Sequence, residues 1–316
     1  MKRPPAYRFL PMLGWIVLAV TASGMTVPTT APATSGGGMA WHEAVILGLV
    51  EGLTEFLPVS STGHLILTQR ILGMSQSDAS AEAAGAYAIC IQAGAILAVA
   101  CLYFRRLRQV AAGVLGADAQ GRTLGINLGL AFLPAAVVGL TAEGWIKRHL
   151  FGGGTWGLWP VIGAWFVGGL GILLMTRWIE THRSRPRMPL ESATARMALC
   201  IGLAQSLALW PGISRSLATL LGGLWVGLSI PAAVEFSFLL GLITLGASTA
   251  YDAFRSGALI VSQYGWFTPL LGMVTALLSA LLAIRWMLRY LQRHPLTVFG
   301  YYRILLALAA TAFILL

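Results

Sequence analysis

Long apolar segments alternate with short polar loops through most of this sequence. Six of these segments are uninterrupted, and they cover roughly residues 86–104, 123–145, 156–178, 231–251, 267–286 and 297–315. A helix needs about 20 apolar residues to cross the hydrocarbon core of a bilayer. The pattern therefore predicts six transmembrane helices.

Two further apolar stretches, 41–72 and 193–228, are interrupted by polar residues and by proline. Pro58 breaks the first stretch and Pro211-Gly212 breaks the second, because a proline inside a helix removes a backbone hydrogen bond and clashes with the preceding turn. A hydroxyl-rich segment follows each break and can begin a new helix with a side-chain cap. We expect both stretches to enter the membrane and return on the same side, as re-entrant hairpins.

The two interrupted stretches also resemble each other. Leu47-Gly-Leu-Val-Glu-Gly-Leu53 aligns with Ile201-Gly-Leu-Ala-Gln-Ser-Leu207, and the same offset places Ser60 over Ser214. Three predicted spans separate them, so the two halves have opposite topology, and broken helices that meet near the midplane can form a polar site. The predicted fold is an all-α polytopic membrane protein with six transmembrane helices and two re-entrant helical hairpins, in an inverted repeat of approximately 40–178 and 190–316.

Composition and charge agree with a membrane protein. Only 10% of the 316 residues are charged and 57% are hydrophobic, whereas soluble proteins have about 25% charged residues. Much of the net charge of +10 comes from three basic loops, at 105–108, 177–187 and 285–293. With re-entrant hairpins these loops share one side, which the positive-inside rule assigns to the cytoplasm. Membrane orientation and anionic lipids explain the charge better than nucleic acid does.

Residues 1–39 form an addition to this core, which leaves 40–316 as one integral membrane domain. Basic residues near the amino terminus precede an apolar run from about Phe9 to Met25, and a flexible linker rich in Thr, Pro, Ala and Gly follows. A cleaved signal peptide and an uncleaved anchor helix both fit this pattern. Either one would place Ala40 on the outer side of the membrane.

Two acidic residues lie in the first interrupted stretch. Glu51 and Glu55 are four residues apart, so they share one face of a helix. A bare carboxylate within the bilayer costs about 2.5–3.5 kcal/mol, and the chain has only eleven acidic residues. The pair therefore indicates a site that binds a divalent metal ion or handles a proton. The alternative is a structural pair satisfied by an arginine or by backbone amides.

The segment after the first break is suited to binding an anion. It can begin a helix whose free backbone amides and dipole attract negative charge. Its polar members are Ser60, Ser61, Thr62, Gly63 and His64. His64 can act as a base, an acid or a nucleophile towards phosphorus, although a lone histidine is more often structural.

The segment after the second break repeats this design and adds a fixed positive charge. The planar guanidinium of Arg215 suits phosphate oxygens, and its alternative roles are a partner for a glutamate or an interfacial anchor. The hydroxyls of Ser214, Ser216 and Thr219 can donate to phosphate or can only cap the helix. We expect the two segments to meet and to form one site for a phosphate-bearing lipid.

At these residues the sequence resembles the undecaprenyl-diphosphate phosphatase family of the bacitracin-resistance type. Glu51-Gly-Leu-Thr-Glu-Phe-Leu-Pro-Val-Ser-Ser-Thr-Gly-His64 is similar to the first signature of that family, and Pro211-Gly-Ile-Ser-Arg-Ser216 is similar to the second. The resemblance covers roughly residues 41–316. It implies removal of the terminal phosphate from a C55 polyprenyl diphosphate, which leaves the monophosphate carrier used in cell-wall synthesis.

The resemblance also implies a cofactor, a location and partners. The cofactor is a divalent cation, Mg²⁺ or Ca²⁺, and the site faces the outer side of the bacterial cytoplasmic (inner) membrane. The predicted partners are the polyprenyl diphosphate lipid and the membrane, without nucleic acid, and a homodimer is left open. In this chain the resemblance assigns metal binding to Glu51 and Glu55. The nucleophile or base is His64 or one of Ser60 and Ser61. The residues that bind the diphosphate are Arg215, Thr62, Gly63, Ser214, Ser216 and Thr219.

One residue departs from the family pattern. Leu217 stands where a small residue, commonly glycine, is expected, so it can reshape the pocket.

Two other functions compete with the phosphatase function. A polyprenyl-phosphate transporter or flippase would share the broken helices and bind phosphate without cleaving it. A lipid phosphatase of the acid-phosphatase type is the other alternative, but no histidine occurs within twenty residues after Arg215, where that motif requires one.

Overall fold

The computed structural model describes residues 39–74, 78–150, 158–182 and 186–315. The predictions of a signal peptide or an anchor helix fall outside these residues, and the division of the chain at residue 39 stays a prediction. Within the described residues the regular secondary structure is helical, with one isolated β-bridge between Met188 and Leu228. The predicted all-α class is confirmed.

The α-helices follow one another with short connections. In chain order they are α1 (Trp41–Thr54), α2 (Ser61–Ile71), α3 (Asp78–Leu102), α4 (Phe104–Val114), α5 (Ala119–Leu150), α6 (Trp159–Thr181), α7 (Ala195–Ser206), α8 (Arg215–Trp225), α9 (Ile230–Tyr264), α10 (Phe267–Leu291) and α11 (Thr297–Leu315). Short 3₁₀ turns occupy Leu190–Ser192 and Leu207–Leu209.

Six of the described helices are long and apolar enough to cross a membrane. They are α6, α9, α10 and α11 together with Ala83–Leu102 of α3 and Ala119–Ala142 of α5. Each overlaps one of the six segments predicted from hydropathy, so that prediction is confirmed. The chain is a multi-pass membrane protein.

The two interrupted stretches form helical hairpins. The first hairpin consists of α1 and α2, and the second consists of α7 and α8. These helices have 14, 11, 12 and 11 residues. At 1.5 Å per residue none is longer than about 21 Å, which is too short to cross a hydrocarbon core of about 30 Å. The predicted breaks are confirmed, and the re-entry of the hairpins into the bilayer stays a prediction.

The second helix of each hairpin begins in the same way. Ser60 and Ser214 precede α2 and α8 with φ of 75° and 76°, and among the described residues they are the non-glycine residues with positive φ. Each serine hydroxyl accepts a hydrogen bond from the backbone amide three residues later, that of Gly63 or of Leu217. Such a backbone conformation costs about 1–3 kcal/mol. Its recurrence at the two aligned serines supports the predicted repeat and confirms the predicted hydroxyl caps.

The two hairpins open at opposite ends of α3. Met39, just before α1, belongs to a cluster against which Met74 packs, and Met74 lies between α2 and the beginning of α3 at Asp78. The segment that leads into the second hairpin lies near the other end, where Glu191 pairs with Arg106, which follows α3 in the chain. This arrangement is the one that an inverted repeat requires.

Glycines let the first helix of each hairpin pack closely on a helix of the other repeat. A Cβ atom at Gly48 of α1 would lie 2.5 Å from the carbonyl oxygen of Gly272 in α10. At the aligned position in α7, a Cβ atom at Gly202 would lie 2.4 Å from the carbonyl oxygen of Ala131 in α5. Small residues allow such close backbone contact between membrane helices, so the two repeats interlock and the hairpin breaks are brought to the interior.

Candidate active site

The breaks of the two hairpins contact each other directly. The hydroxyl of Ser216, at the beginning of α8, donates to the carbonyl oxygen of Leu57 at 3.0 Å and lies 3.4 Å from that of Glu55. Ser216 also lies 3.0 Å from the hydroxyl of Ser214. The prediction that the two polar segments meet is confirmed by this geometry.

Arg303 of α11 fixes both breaks at once. It is fully buried, and its Nη1 and Nη2 donate to the carbonyl oxygens of Pro58 at 3.3 Å and Gly212 at 2.8 Å. Two further donations reach the carbonyls of Ala164 and Trp165 in α6. Since irregular backbone inside a membrane needs protein partners for its polar groups, Arg303 satisfies the carbonyls that the breaks release. This residue was missed in the sequence, although an arginine inside an apolar span is itself a signal of function.

Glu55 lies at the centre of the polar cluster. One carboxylate oxygen accepts a hydrogen bond from the hydroxyl of Ser61, and the other lies 3.6 Å from Nη2 of Arg215. The amide of Gln92 also faces this carboxylate. Because Gln92 lies midway along the apolar segment Ala83–Leu102, the cluster is at mid-depth of the helix bundle.

The guanidinium of Arg215 is buried but only partly satisfied. Nη1 donates to the carbonyl oxygen of Ser237 in α9 at 2.9 Å, and the guanidinium carbon lies 5.4 Å from the ring centroid of Phe56. Nε has no hydrogen-bond partner among the described residues, and Nη2 has none beyond its longer ion pair with Glu55 at 3.6 Å. A buried donor without a partner is costly, so Nε points to an acceptor that a ligand would supply.

Glu51 has the least satisfied side chain of the predicted set. It is 1% exposed, and neither of its carboxylate oxygens has a hydrogen-bond partner within the described ranges. Glu51 lies one turn before Glu55, whose backbone amide donates to the Glu51 carbonyl at 2.9 Å. The two carboxylates therefore share one face of the helix.

The carboxylate pair fits a divalent cation. Mg²⁺ is commonly held by one or two carboxylates together with substrate phosphates and water. No group of three His, Cys, Asp or Glu side chains suited to a metal ion occurs in the part of the chain that the structure describes. A cation at Glu51 and Glu55 would thus take its other ligands from the substrate and from water.

His64 is engaged at both ring nitrogens by groups other than Glu55. Nδ1 lies 2.6 Å from the carbonyl oxygen of Ser60, and Nε2 lies 2.8 Å from the hydroxyl of Tyr302 in α11. Because a carbonyl oxygen can only accept, Nδ1 carries the proton and Nε2 accepts from the tyrosine. The ring also packs against the edge of Trp165. His64 thus holds the backbone at the first break.

The remaining predicted residues differ in exposure and in contacts. Thr62 is exposed, whereas a Cβ atom at Gly63 would lie 2.4 Å from the ring of Trp165, so only glycine fits there. The hydroxyl of Thr219 lies 2.6 Å from that of Ser237, one turn beyond Arg215. Leu217, the departure from the family pattern, is buried at 2% exposure. Its side chain is therefore packed in the protein interior next to the second break.

A cavity of about 200 Å³ lies apart from this cluster, beside α4 and α5. Arg106 lines it and is 2.6 Å from a carboxylate oxygen of Glu191 and 2.6 Å from one of Glu235. The hydrogen bond from Arg106 also lowers the pKa of Glu191 below its ordinary value. Arg106 is therefore neutralised within the protein, and the candidate site is the polar cluster between the hairpins.

The fold and the site define a class of protein: a multi-pass α-helical membrane protein with a buried acid, hydroxyl and guanidinium cluster between two broken hairpins. The chain belongs to the family described as Bacitracin resistance protein BacA, whose profile matches residues 44–309. The sequence resemblance to this family is confirmed.

Relatives of the same family cover most of the chain. It is 47% identical over 271 residues to undecaprenyl-diphosphatase 2 of Rhodospirillum rubrum, a match that covers 85% of this chain and 93% of the relative. The undecaprenyl-diphosphatase of Sorangium cellulosum is 46% identical over 272 residues, or 85% of this chain and 84% of the relative. The undecaprenyl-diphosphatase of Methylococcus capsulatus is 45% identical over 269 residues, or 84% and 91%.

Proposed function

We propose that this protein hydrolyses undecaprenyl diphosphate to undecaprenyl phosphate and inorganic phosphate, and so recycles the lipid carrier for cell-wall synthesis. The names of the three relatives support the substrate and the reaction. The observation that carries the proposal is the meeting of Ser61, Glu55 and Arg215 between the two hairpins. These residues supply a hydroxyl, a base and a phosphate-binding cation at one place.

Ser61 is the nucleophile in this proposal. Its hydroxyl already donates to Glu55, which is the arrangement of an activated nucleophile beside its base. Ser61 Oγ forms a bond to the terminal phosphorus, its proton passes to Glu55, and the bridging P–O bond breaks to release undecaprenyl phosphate. Water then attacks the phosphorus of the phosphoserine, and Ser61 leaves with the proton that Glu55 returns. The products are inorganic phosphate and the original enzyme.

Arg215 and His64 have different tasks. The unpartnered Nε of Arg215 binds a diphosphate oxygen, and the guanidinium stabilises the negative charge that the transition state spreads over the phosphate. His64 acts through the backbone, because its bonds to the Ser60 carbonyl and to Tyr302 hold the turn that presents Ser61. It is a positioning residue in this proposal.

The proposed cofactor is Mg²⁺ or Ca²⁺, held by Glu51 and Glu55. When bound, such a cation neutralises phosphate charge and orients the reacting groups. The support is the buried, unpartnered carboxylate of Glu51 beside Glu55. The cation and the arginine would then contact the diphosphate from opposite hairpins.

The proposed location is the bacterial cytoplasmic (inner) membrane, with the site open to the outer side. Arg106, in one basic segment, pairs with Glu191, which lies four residues after another basic segment ends at Arg187. The two segments are therefore at the same end of the bundle, which supports a cytoplasmic end there. Whether the protein is a homodimer stays a prediction. No described contact favours transport without hydrolysis.

Release of inorganic phosphate from undecaprenyl diphosphate by the purified protein in detergent tests the function. We expect release by the wild type without a membrane gradient, and a fall of at least about 10³-fold in kcat for Ser61→Ala. Ser248→Ala is the matched control, because that exposed hydroxyl donates only to the backbone of its own helix. Phosphate release by Ser61→Ala at the control rate would contradict the nucleophile, and no release by the wild type would contradict hydrolysis.

Divalent cations should be required. A chelator is expected to stop phosphate release and Mg²⁺ or Ca²⁺ to restore it, with Glu51→Gln raising the cation concentration needed for half-maximal rate. Glu180→Gln, an exposed carboxylate at the end of α6, should leave that concentration unchanged. A wild-type rate that persists in the chelator would remove the cofactor from the proposal.

A further inference from the structure

Gln205 is the counterpart of Glu51 in the second hairpin. The alignment that places Ser60 over Ser214 also places Glu51 over Gln205. Like Glu51, the glutamine is buried, at 2% exposure. Its Oε1 accepts a hydrogen bond from the hydroxyl of Thr244 at 3.2 Å, whereas its Nε2 has no partner among the described residues.

One face of α9 holds Gln205 and Arg215 next to each other. Ser237, Gly241 and Thr244 are spaced by four and three residues, so they lie on one face of that helix. Arg215 donates to the carbonyl of Ser237, and a Cβ atom at Gly241 would lie 2.2 Å from its Nη1. Thr244 bonds Gln205. The guanidinium and the amide therefore lie about one helical turn apart, and both have N–H groups without acceptors.

The two aligned side chains differ in hydrogen bonding: one has free acceptors and the other has a free donor. Glu51 has two unpartnered acceptors, which suit a cation, while Gln205 has an unpartnered donor beside a guanidinium. A neutral amide cannot replace a carboxylate as a strong cation ligand, but its N–H can donate to an oxyanion. Buried unsatisfied groups in native proteins call for an explanation, and an anion next to Arg215 supplies one for Gln205.

We propose that Gln205 is a further substrate-binding residue, which donates its amide N–H to a phosphate oxygen of the lipid diphosphate beside Arg215. This inference rests on the proposed function and deepens it. The competing explanation is that Gln205 only joins α7 to α9 through Thr244. The two explanations differ in substrate binding: replacing a glutamine that only joins the two helices leaves KM unchanged, whereas replacing one that donates to the diphosphate raises KM.

Gln205→Leu separates these explanations when it is compared with Gln69→Leu. Gln69 is also a buried glutamine, but its Nε2 donates to the carbonyl of Ala84 at 2.9 Å. For Gln205→Leu we expect an unchanged or higher Tm without substrate and a kcat/KM for undecaprenyl diphosphate about 10- to 100-fold lower, chiefly through KM. For Gln69→Leu we expect a lower Tm and a kcat/KM near that of the wild type.

The overturning result is a Gln205→Leu variant whose kcat/KM equals that of the wild type, or whose kcat/KM falls no further than that of Gln69→Leu. The same proteins are tested for binding by the rise in Tm that undecaprenyl diphosphate causes. If the wild type is stabilised by the lipid but releases no phosphate, the proposed function fails. In that case the inference on Gln205 is supported if the lipid no longer raises the Tm of Gln205→Leu, and it is wrong if the lipid raises that Tm as much as it does in the wild type.

Discussion

Replacing Arg215 by lysine is expected to lower kcat/KM for undecaprenyl diphosphate by about 10²–10³-fold, as the loss of a charged donor at a transition state does in other enzymes. Lysine keeps the charge but lacks the planar fork. It cannot bond Ser237, pair with Glu55 and also direct a donor at a phosphate, as the Nη1, Nη2 and Nε atoms of Arg215 can. The measurement is phosphate release at several lipid concentrations, with Tm as a check on folding.

Arg196→Lys is the matched control for this change, because Arg196 is an exposed arginine on α7 of the same hairpin. Its kcat/KM should stay within about threefold of the wild type, since surface substitutions usually have small effects. If Arg215→Lys behaves like Arg196→Lys, the phosphate-binding role of Arg215 is wrong. A parallel loss of Tm would instead indicate that Arg215 mainly holds the hairpins together.

Replacing Arg303 by methionine is expected to have the largest effect on stability. The carbonyls of Pro58 and Gly212 would lose their donor in the interior, and those of Ala164 and Trp165 within α6 would lose a second donor. An unsatisfied buried polar group costs about 1–3 kcal/mol, so we expect the free energy of unfolding to fall by about 3 kcal/mol or more. Activity should fall as well, because the two breaks would no longer be held against each other.

Thermal unfolding in detergent and phosphate release measure both effects of Arg303→Met. Arg289→Met is the control, since Arg289 is exposed near the end of α10, and its free energy of unfolding should change by about 0.5 kcal/mol or less. Arg303→Lys should fall between the wild type and Arg303→Met, because an ammonium group reaches fewer of the four carbonyls. Wild-type stability and activity in Arg303→Met would show that the breaks need no such support.

Much of the fold follows from local signals in the sequence. Six uninterrupted apolar segments predicted the spans, and Pro58 and Pro211 predicted the breaks, because hydropathy and proline act within a few residues. The caps at Ser60 and Ser214 follow from the preference of serine for helix starts. The alignment of these serines predicted the repeat, which their matching positive φ angles support.

The pairing of side chains within the site could not be predicted in the same way. Which of Ser60 and Ser61 reaches Glu55 depends on the backbone of the turn, where Ser60 caps the helix and Ser61 bonds the carboxylate. The partner of His64 is Tyr302, 238 residues later in the chain. Such contacts arise only when distant helices pack, and neither periodicity nor composition encodes them.

The contacts of Arg303 show the same limit. It donates to the carbonyls of Pro58 and Gly212, which lie 245 and 91 residues earlier in the chain. Every residue has a backbone carbonyl, so the sequence does not indicate which carbonyls accept these bonds. The position itself was visible as an arginine within an apolar span. The polar positions at Glu51 and Gln205 were visible too, but only burial and the absence of partners among the described residues distinguish a ligand-binding side chain from one that joins two helices.

The most direct test of the central claim is a double-mutant cycle on kcat/KM for undecaprenyl diphosphate, with Glu55→Gln, Arg215→Lys and both changes together. Residues that act as one unit give strongly non-additive losses. Because Glu55 and Arg215 come from different hairpins and face each other at 3.6 Å, the double variant should be scarcely slower than the slower single variant. Losses that multiply, as they do for independent sites, would contradict a single active site formed where the two hairpins meet.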